Sequence, residues 1–419
     1  MASSLAVDKA GVSGSSSRTA DCPAVLFGAF DRHNFGDLLL PHVIARLLAA
    51  PGLPDLYYGG LAERNLVPLG GHRVHAMARL AASVGNTAVD IIHVGGEILA
   101  CTAWEAAVML QPAERAPAIV AKLDALPRER TAWAREVLGL RDNAPYLLPA
   151  GLFANVRRVI YHGVGGITLG QIAPDTRHEV MTKLAAATCV GVRDRQTLAM
   201  LDTHGIGCHL EPDPAVMVAA LFSDRIRHRA GHAELARLVS RFARGYLAVQ
   251  CSADFGDDDT LSQLATQLEQ VARPRKLGLA LFRAGAAPWH DDLACYRRLA
   301  ARLVGTPAVL FGSLNLWDIC ALIAHSRGFV GSSLHGSIVA GAFALPRLGV
   351  LRPGQALAAS KQAAFAATWG AADVPAVVAV DELAAGMDQA MATASARRED
   401  LARALVNAFR ASFKAVHHA

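Results

Sequence analysis

The sequence predicts an α/β protein built of two doubly wound, Rossmann-like domains facing a central cleft. Three observations carry that reading. Short apolar runs alternate with helical patterns through both halves of the chain, the rhythm a parallel sheet needs. A glycine-punctuated turn follows a strand in each half: Gly28-Ala29-Phe30-Asp31-Arg32-His33-Asn34-Phe35-Gly36-Asp37 near the start, and Gly331-Ser332-Ser333-Leu334-His335-Gly336 near the end. The length of 419 residues, 53% of them apolar, is enough for two cores. A strand that turns through glycine into a helix presents unpaired amides and a positive dipole end, which suits an anion.

The first half opens with a buried strand at 25–27 and a helix over 38–50, ended by Pro51, Gly52 and Pro54. A strand at 90–94 enters Gly95-Gly96-Glu97, and 104–150 read as helical with breaks at Pro112, Pro117 and Pro127. Strands follow at 159–162, 189–192 and 208–210, separated by helices over 174–187 and 195–204. The Arg-rich segment 223–244 reads as a crossover with a solvated basic face. Strands at 246–250, 277–282, 308–311, 328–330 and 347–351 then alternate with helices over 258–272, 291–304, 317–325 and 337–344. Two amphipathic helical stretches close the chain over 380–416. The expected division is a loose tail at 1–20, a domain over 21–222, a linker at 223–245, a domain over 246–380 and helices over 381–419.

Composition narrows the function. A net charge of +5 is slight for this length, fits an anionic small substrate and does not argue for nucleic acid. The seven cysteines are scattered with no C-x-x-C pair, the pattern of reduced thiols, and no metal site is visible. Residues 1–20 lack the apolar core of a signal peptide, and the longest apolar run, 338–350, is cut by Pro346 and Arg347. A cytoplasmic protein without a transmembrane segment is the expectation.

Several turns carry chemistry. In Asn34-Phe35-Gly36-Asp37, glycine would permit positive φ, and Asn34 and Asp37 can cap the next helix or face a ligand. Asp31 and His33 flank that turn and could reach the same ligand, or stand as ordinary loop residues. Gly95-Gly96-Glu97 and Gly163-Val164-Gly165-Gly166 let a backbone or ligand approach closely, without the spacing of a dinucleotide site. Asp194 is placed to cap a helix, with Arg193 directed into the cleft or onto a carboxylate. His335, beside Ser332, Ser333 and free amides, can donate to an anion and deliver a proton near neutral pH.

Taken together these segments resemble the polysaccharide pyruvyl transferase family. Its N-x-G-D turn, glycine cluster, G-x-G segment, V-R-D, D-x-A and S-R-L-H-G elements find counterparts, in order, over residues 22–352. They are Asn34/Gly36/Asp37, Gly95/Gly96, Gly163/Gly165, Val192/Arg193/Asp194, Asp213/Ala215 and Ser332/Leu334/His335/Gly336; His290-Asp291-Asp292 is similar to a further D-D element. The resemblance implies a fold like the B-type glycosyltransferases, an acceptor side in the first half, a donor side in the second, and a C-terminal helix returning to the first. It implies transfer of an enolpyruvyl group from phosphoenolpyruvate to two sugar hydroxyls, giving a cyclic ketal on a cell-surface saccharide or its lipid-linked precursor. Phosphoenolpyruvate is then a substrate, and no cofactor is required. Contact with a membrane would come through a lipid-linked acceptor, and a homo-oligomer is compatible.

On that resemblance His335 is the general acid or phosphate ligand, and Asp37 or Asp31 the acceptor-side base. Ser332, Ser333, Leu334, Gly336, Gln250 and Arg283 would meet the donor. Asn34, Gly36, Gly95, Gly96, Glu97, Gly165 and Arg193 would line the acceptor side or the cleft. Ser333 and Gln250 stand where family members usually carry arginine, so Arg283, Arg327 or Arg347 would have to compensate. Two rival readings remain: a transferase using a nucleotide-sugar donor, and a catalytically silent binding protein with the same fold.

Overall fold

A computed structural model gives the fold and describes residues 22–49, 55–231, 233–371, 374 and 376–417. The tail expected at 1–20, and Pro51, Gly52 and Pro54, lie outside the described residues. In the first half, β1 (Ala24–Phe27), β2 (Leu56–Gly60), β3 (Arg64–Asn65), β4 (Arg73–Ala76), β5 (Val89–His93), β6 (Val156–Val164), β7 (Cys189–Val192) and β8 (His209–Leu210) form one sheet. Its order is β3-β4-β2-β1-β5-β6-β7-β8, parallel throughout except for the β3–β4 pair. In the second half, β9 (Tyr246–Gln250), β10 (Gly278–Phe282), β11 (Ala308–Phe311), β12 (Gly328–Gly331), β13 (Arg347–Val350) and β14 (Val377–Val378) form a parallel sheet. Its order is β11-β10-β9-β12-β13-β14.

The strand order places the site. Each sheet winds outward one way and then the other, so β1 and β5 flank one switch point and β9 and β12 flank the second. At such points the loops after the strands diverge and leave a crevice. The central strands read as continuous apolar runs because helices cover both faces, and β1, β5, β9, β10 and β12 are buried along their whole length. One apolar cluster runs between the halves, joining Leu26, Phe35 and Leu39 to Phe282, Trp317 and Phe329.

Several helices begin earlier than the sequence predicts. The first spans Phe35–Leu48 because the Asn34 side chain accepts from the Gly36 amide at 3.1 Å, and it carries Pro41 within it. Leu334–Ala342 likewise starts at its Ser333 cap. The stretch expected to be helical over 104–150 is three helices, Ala103–Met109, Ala116–Leu123 and Pro127–Leu138, and the last stops at Gly139 with φ of 62°. Residues 140–150 are therefore not helical.

The Arg-rich segment forms helices Val218–Arg229 and Ala233–Arg241 and is not merely solvated. Arg225 lies 3.9 Å from the centre of the Trp317 ring, and Arg229 Nε donates to Asp318 at 2.7 Å. The last helix, Ser395–His417, returns to the first half, where Ser412 Oγ donates to Glu211 and Phe413 stacks on His162. Among the described residues no helix is long and apolar enough to cross a membrane.

Candidate active site

A cleft of about 450 Å³ lies between the carboxyl ends of the two sheets. Loops after the four switch-point strands build it: Arg32 and Asn34 after β1, Glu97 after β5, Ser252 and Asp254 after β9, and Ser332 and Ser333 after β12.

His335 belongs to the second half but rests on the first. A Cβ built on Gly36 would fall 2.0 Å from His335 Nδ1, so the ring occupies the space that any other residue at 36 would fill. Gly36 does not have positive φ. Glycine is needed there for close approach, not for the left-handed turn that the sequence allowed. The other ring nitrogen, Nε2, is buried 3.5 Å from Asp213 Oδ2, an ion-pair contact without hydrogen-bond geometry. Asp213 also accepts from Arg193 Nη1 at 2.9 Å and from the Ala215 amide at 2.9 Å. Burial would raise its carboxyl, but His335, Arg193 and that amide bring it down to about 2. Arg193 reaches Glu97 with its other terminal nitrogen, at 2.5 Å. A continuous chain of polar contacts thus runs Glu97–Arg193–Asp213–His335, with buried Asp213 behind the cleft wall. Asp194 caps the helix Arg195–Asp202 through the Thr197 amide.

The first-half turn separates its two acids. Asp37 lines the cleft with Oδ2 3.8 Å from Arg32. Asp31, expected beside it as a base, is fully buried beneath the turn. There it accepts from Tyr146 Oη at 2.8 Å and from the Leu61 amide at 2.6 Å. Burial raises its carboxyl, and its bonds fix the turn; it does not line the cleft. His33 is also buried, bonded to the Leu314 carbonyl and the Ala286 amide of the second half. The same turn exchanges backbone bonds with that loop: Phe35 N donates to Ala284 O at 2.8 Å and Ala286 N to His33 O at 3.1 Å.

The glycines of the first half work behind the wall. Gly95 and Gly96 have φ of 114° and 91°, and a Cβ on Gly96 would sit 3.4 Å from Asp37 Oδ1. A Cβ on Gly165 would meet Glu97 at 2.5 Å and Arg193 at 2.7 Å, so Gly165 makes room for that ion pair.

On the second half's side of the cleft, Gln250 Nε2 donates to Asp291 at 2.9 Å and its Oε1 accepts from Ser332 Oγ at 3.3 Å. Ser333 and Leu334 line the cleft, Ser333 capping its helix through the Gly336 amide at 3.1 Å. A Cβ on Gly336 would meet the Phe329 ring, so this glycine serves packing behind the wall. Asp291 faces the cleft, and burial pushes its carboxyl up to about 7 although the Ala284 amide, Gln250 and Tyr296 all donate to it. Burial, aided by Arg32, brings the neighbouring His290 down to about 4.

The expected compensating arginines do not line the cleft. Arg283 stands by His33, whose imidazole its charge helps to depress, and Arg327 and Arg347 lie at the amino ends of β12 and β13, opposite the cleft. Arg32, Arg352 and Lys361 line it instead. Sequence reasoning passed over them because Arg352 and Lys361 follow β13 in a segment without apolar rhythm. Among the described residues no cluster could hold a metal ion.

None of the curated proteins matches the chain. Among solved structures, HepE from Anabaena in complex with UDP-glucose is similar over 95% of this chain and 99% of its own, at 11% identity and a TM-score of 0.52. UDP-GlcNAc 2-epimerase from Methanocaldococcus jannaschii is similar over 89% and 92%, at 9% identity and a TM-score of 0.51. The Neisseria meningitidis UDP-GlcNAc 2-epimerase bound to UDP-GlcNAc is similar over 91% and 94%, at 9% identity and 0.50. At these identities the likeness is one of fold, and the two facing parallel-sheet domains are those of the B-type glycosyltransferase architecture. The polysaccharide pyruvyl transferase profile matches residues 34–351, from the Asn34 cap to the end of β13. The chain therefore belongs to the polysaccharide pyruvyl transferase family.

Proposed function

We propose that the protein transfers an enolpyruvyl group from phosphoenolpyruvate to two hydroxyls of a saccharide, forming a pyruvate ketal. The observation that carries this reading is the His335 imidazole, backed by ionised Asp213 and seated on Gly36 at the cleft wall. A histidine that lines the cleft can hand a proton to a bound donor. Nε2 stands 3.5 Å from Asp213, and Nδ1 lies against the Gly36 backbone of the other half.

The chemistry proceeds in balanced steps. A proton from His335 goes to the donor's methylene carbon, and the positive charge left on the carboxylate-bearing carbon is quenched by a sugar hydroxyl. That hydroxyl gives up its proton, the C–O bond to phosphate breaks, and a second hydroxyl closes the ring with loss of its proton. Asp37, which lines the cleft, is suited to receive a hydroxyl proton. Arg352 and Lys361, with the first-turn amides of the Leu334–Ala342 helix, supply positive charge for the donor's carboxylate and phosphate.

The test is release of phosphate from phosphoenolpyruvate in the presence of saccharide. His335→Ala should cut kcat by about 10²–10⁴-fold with little change in Tm, and unchanged turnover removes His335 from the mechanism. Ser333 and Gln250, in place of arginines, favour the rival readings. A rise in Tm with UDP-glucose and none with phosphoenolpyruvate would select the nucleotide-sugar reading, and no shift with either would select the silent one.

A further inference from the structure

We propose that Trp289 is the stacking platform of an acceptor-sugar subsite, a reading that deepens the saccharide transfer proposed above. Three observations converge on this residue. Its ring is half exposed, at 50%, although it is among the largest apolar side chains in the protein. It lines the same cleft as His335 and Asp37. Its backbone has φ of 64°, a region that a bulky residue rarely occupies unless the surroundings over-determine it.

The surroundings do so. The turn 287–290 is closed by His290 N donating to Ala287 O at 3.2 Å, and Ala253 N donates to His290 O at 2.9 Å. On the other side, the loop is tied to the first half through His33. The result is a tryptophan presented at the cleft mouth by a loop fastened to both halves.

A second ring packs against it from behind the cleft lining. Trp104, on the helix Ala103–Met109, lies with its centroid 6.3 Å from that of Trp289 and the planes at 60°. Trp104 is itself buried and anchored, edge-on to Trp133 at 5.4 Å and beneath Arg130. Glu105 and Met109 of the same helix line the cleft beside it. Indole faces carry negative charge density, and the C–H-rich face of a pyranose ring carries the complementary apolar, weakly positive surface. Carboxylates at the edge of such a platform bind the equatorial hydroxyls. A tilted pair of indoles, with the Glu105 Oε1 that the Thr102 cap leaves unused and with Asp37 on the same cleft, is thus suited to a pyranose and offers nothing to a small trianionic donor, which needs cations. Trp289 is a binding residue for the acceptor and takes no part in proton transfer.

The experiment titrates the full-length protein with p-nitrophenyl α- and β-hexopyranosides of glucose, galactose and mannose, and separately with phosphoenolpyruvate, by calorimetry. At least one glycoside should bind the wild type. Trp289→Ala should weaken it at least tenfold, and Trp289→Phe should restore it to within about threefold, because a smaller aromatic face still stacks. Phosphoenolpyruvate affinity should stay within twofold in both variants. Equal glycoside affinity in Trp289→Ala, loss of phosphoenolpyruvate binding along with it, or no glycoside bound by the wild type at millimolar concentration would each overturn the subsite. Failure of ketal formation with glycoside binding intact would instead overturn the transfer reading and leave the subsite standing.

Discussion

His335 and Gly36 meet with no room for a methyl group between them. Gly36→Ala should therefore cost about 1–3 kcal/mol through overpacking and displace the imidazole, so urea denaturation and phosphate release should both fall. Asp31 behaves differently. Asp31→Asn turns an amide N–H toward a donor, either the Tyr146 hydroxyl or the Leu61 amide, and should lose about 1–3 kcal/mol of stability. Turnover measured well below the variant's Tm should persist; a large drop in kcat with unchanged Tm would return Asp31 to the chemistry. Asp291 carries a pH signature. Its native carboxyl titrates near 7, above the ordinary carboxylate range, so between about pH 4 and 7 the native state holds a proton that the unfolded chain has lost. Its contribution to stability falls as pH rises through that window, and Asp291→Asn should flatten the decline.

At the scale of elements, Ser333 is a helix cap, whose side chain accepts from the Gly336 amide. Ser333→Arg should tighten phosphoenolpyruvate binding by adding a guanidinium at the helix N-terminus, and should lose about 1 kcal/mol as the cap disappears. No gain in affinity would show that the donor does not approach this helix. Most of the central sheet was legible, because strands buried on both faces leave continuous apolar runs such as Tyr246–Gln250 and Gly278–Phe282. The strands β2, β3, β4 and β14, toward the sheet margins, were not, because partly exposed strands such as Leu56–Gly60 need no such run. His335 and Asp37 were legible from the turns that hold them, and Gln250, at the end of β9, only through the family resemblance. Trp289, Arg352 and Lys361 were not, since a loop residue's place on a cleft depends on tertiary closure that leaves no local pattern. Gly36 was found for the wrong reason: a one-dimensional reading sees a turn, and only the assembled halves show the ring above it.

Across the whole molecule, the halves are held by polar stitches around the cleft and by an aromatic cluster at a distance from it. In that cluster His42, on the first helix, lies 4.0 Å from His72 and 5.0 Å from Trp317, with Arg225 over the Trp317 face and Tyr58 stacked on His72. Burial brings His42 down to about 4, with Arg225 adding to the effect, and burial with the charges of His42 and Arg225 brings His72 to about 3. Both rings bind protons more readily when unfolded, so the stability they lend is complete above about pH 6.5 and fades as pH falls toward 4. Thermal melts between pH 7.5 and 5 should drop, and His42→Phe should reduce the drop; identical pH profiles would clear this cluster.

The seating of one half's imidazole on the other half's bare backbone leaves the centre without slack. On the proposed chemistry, a rocking of the halves that opens this seat would take the imidazole out of register, and closure would have to precede each proton transfer. Friction from the solvent then enters the rate. Turnover should slow as sucrose thickens the medium, while an uncoupled centre would ignore it.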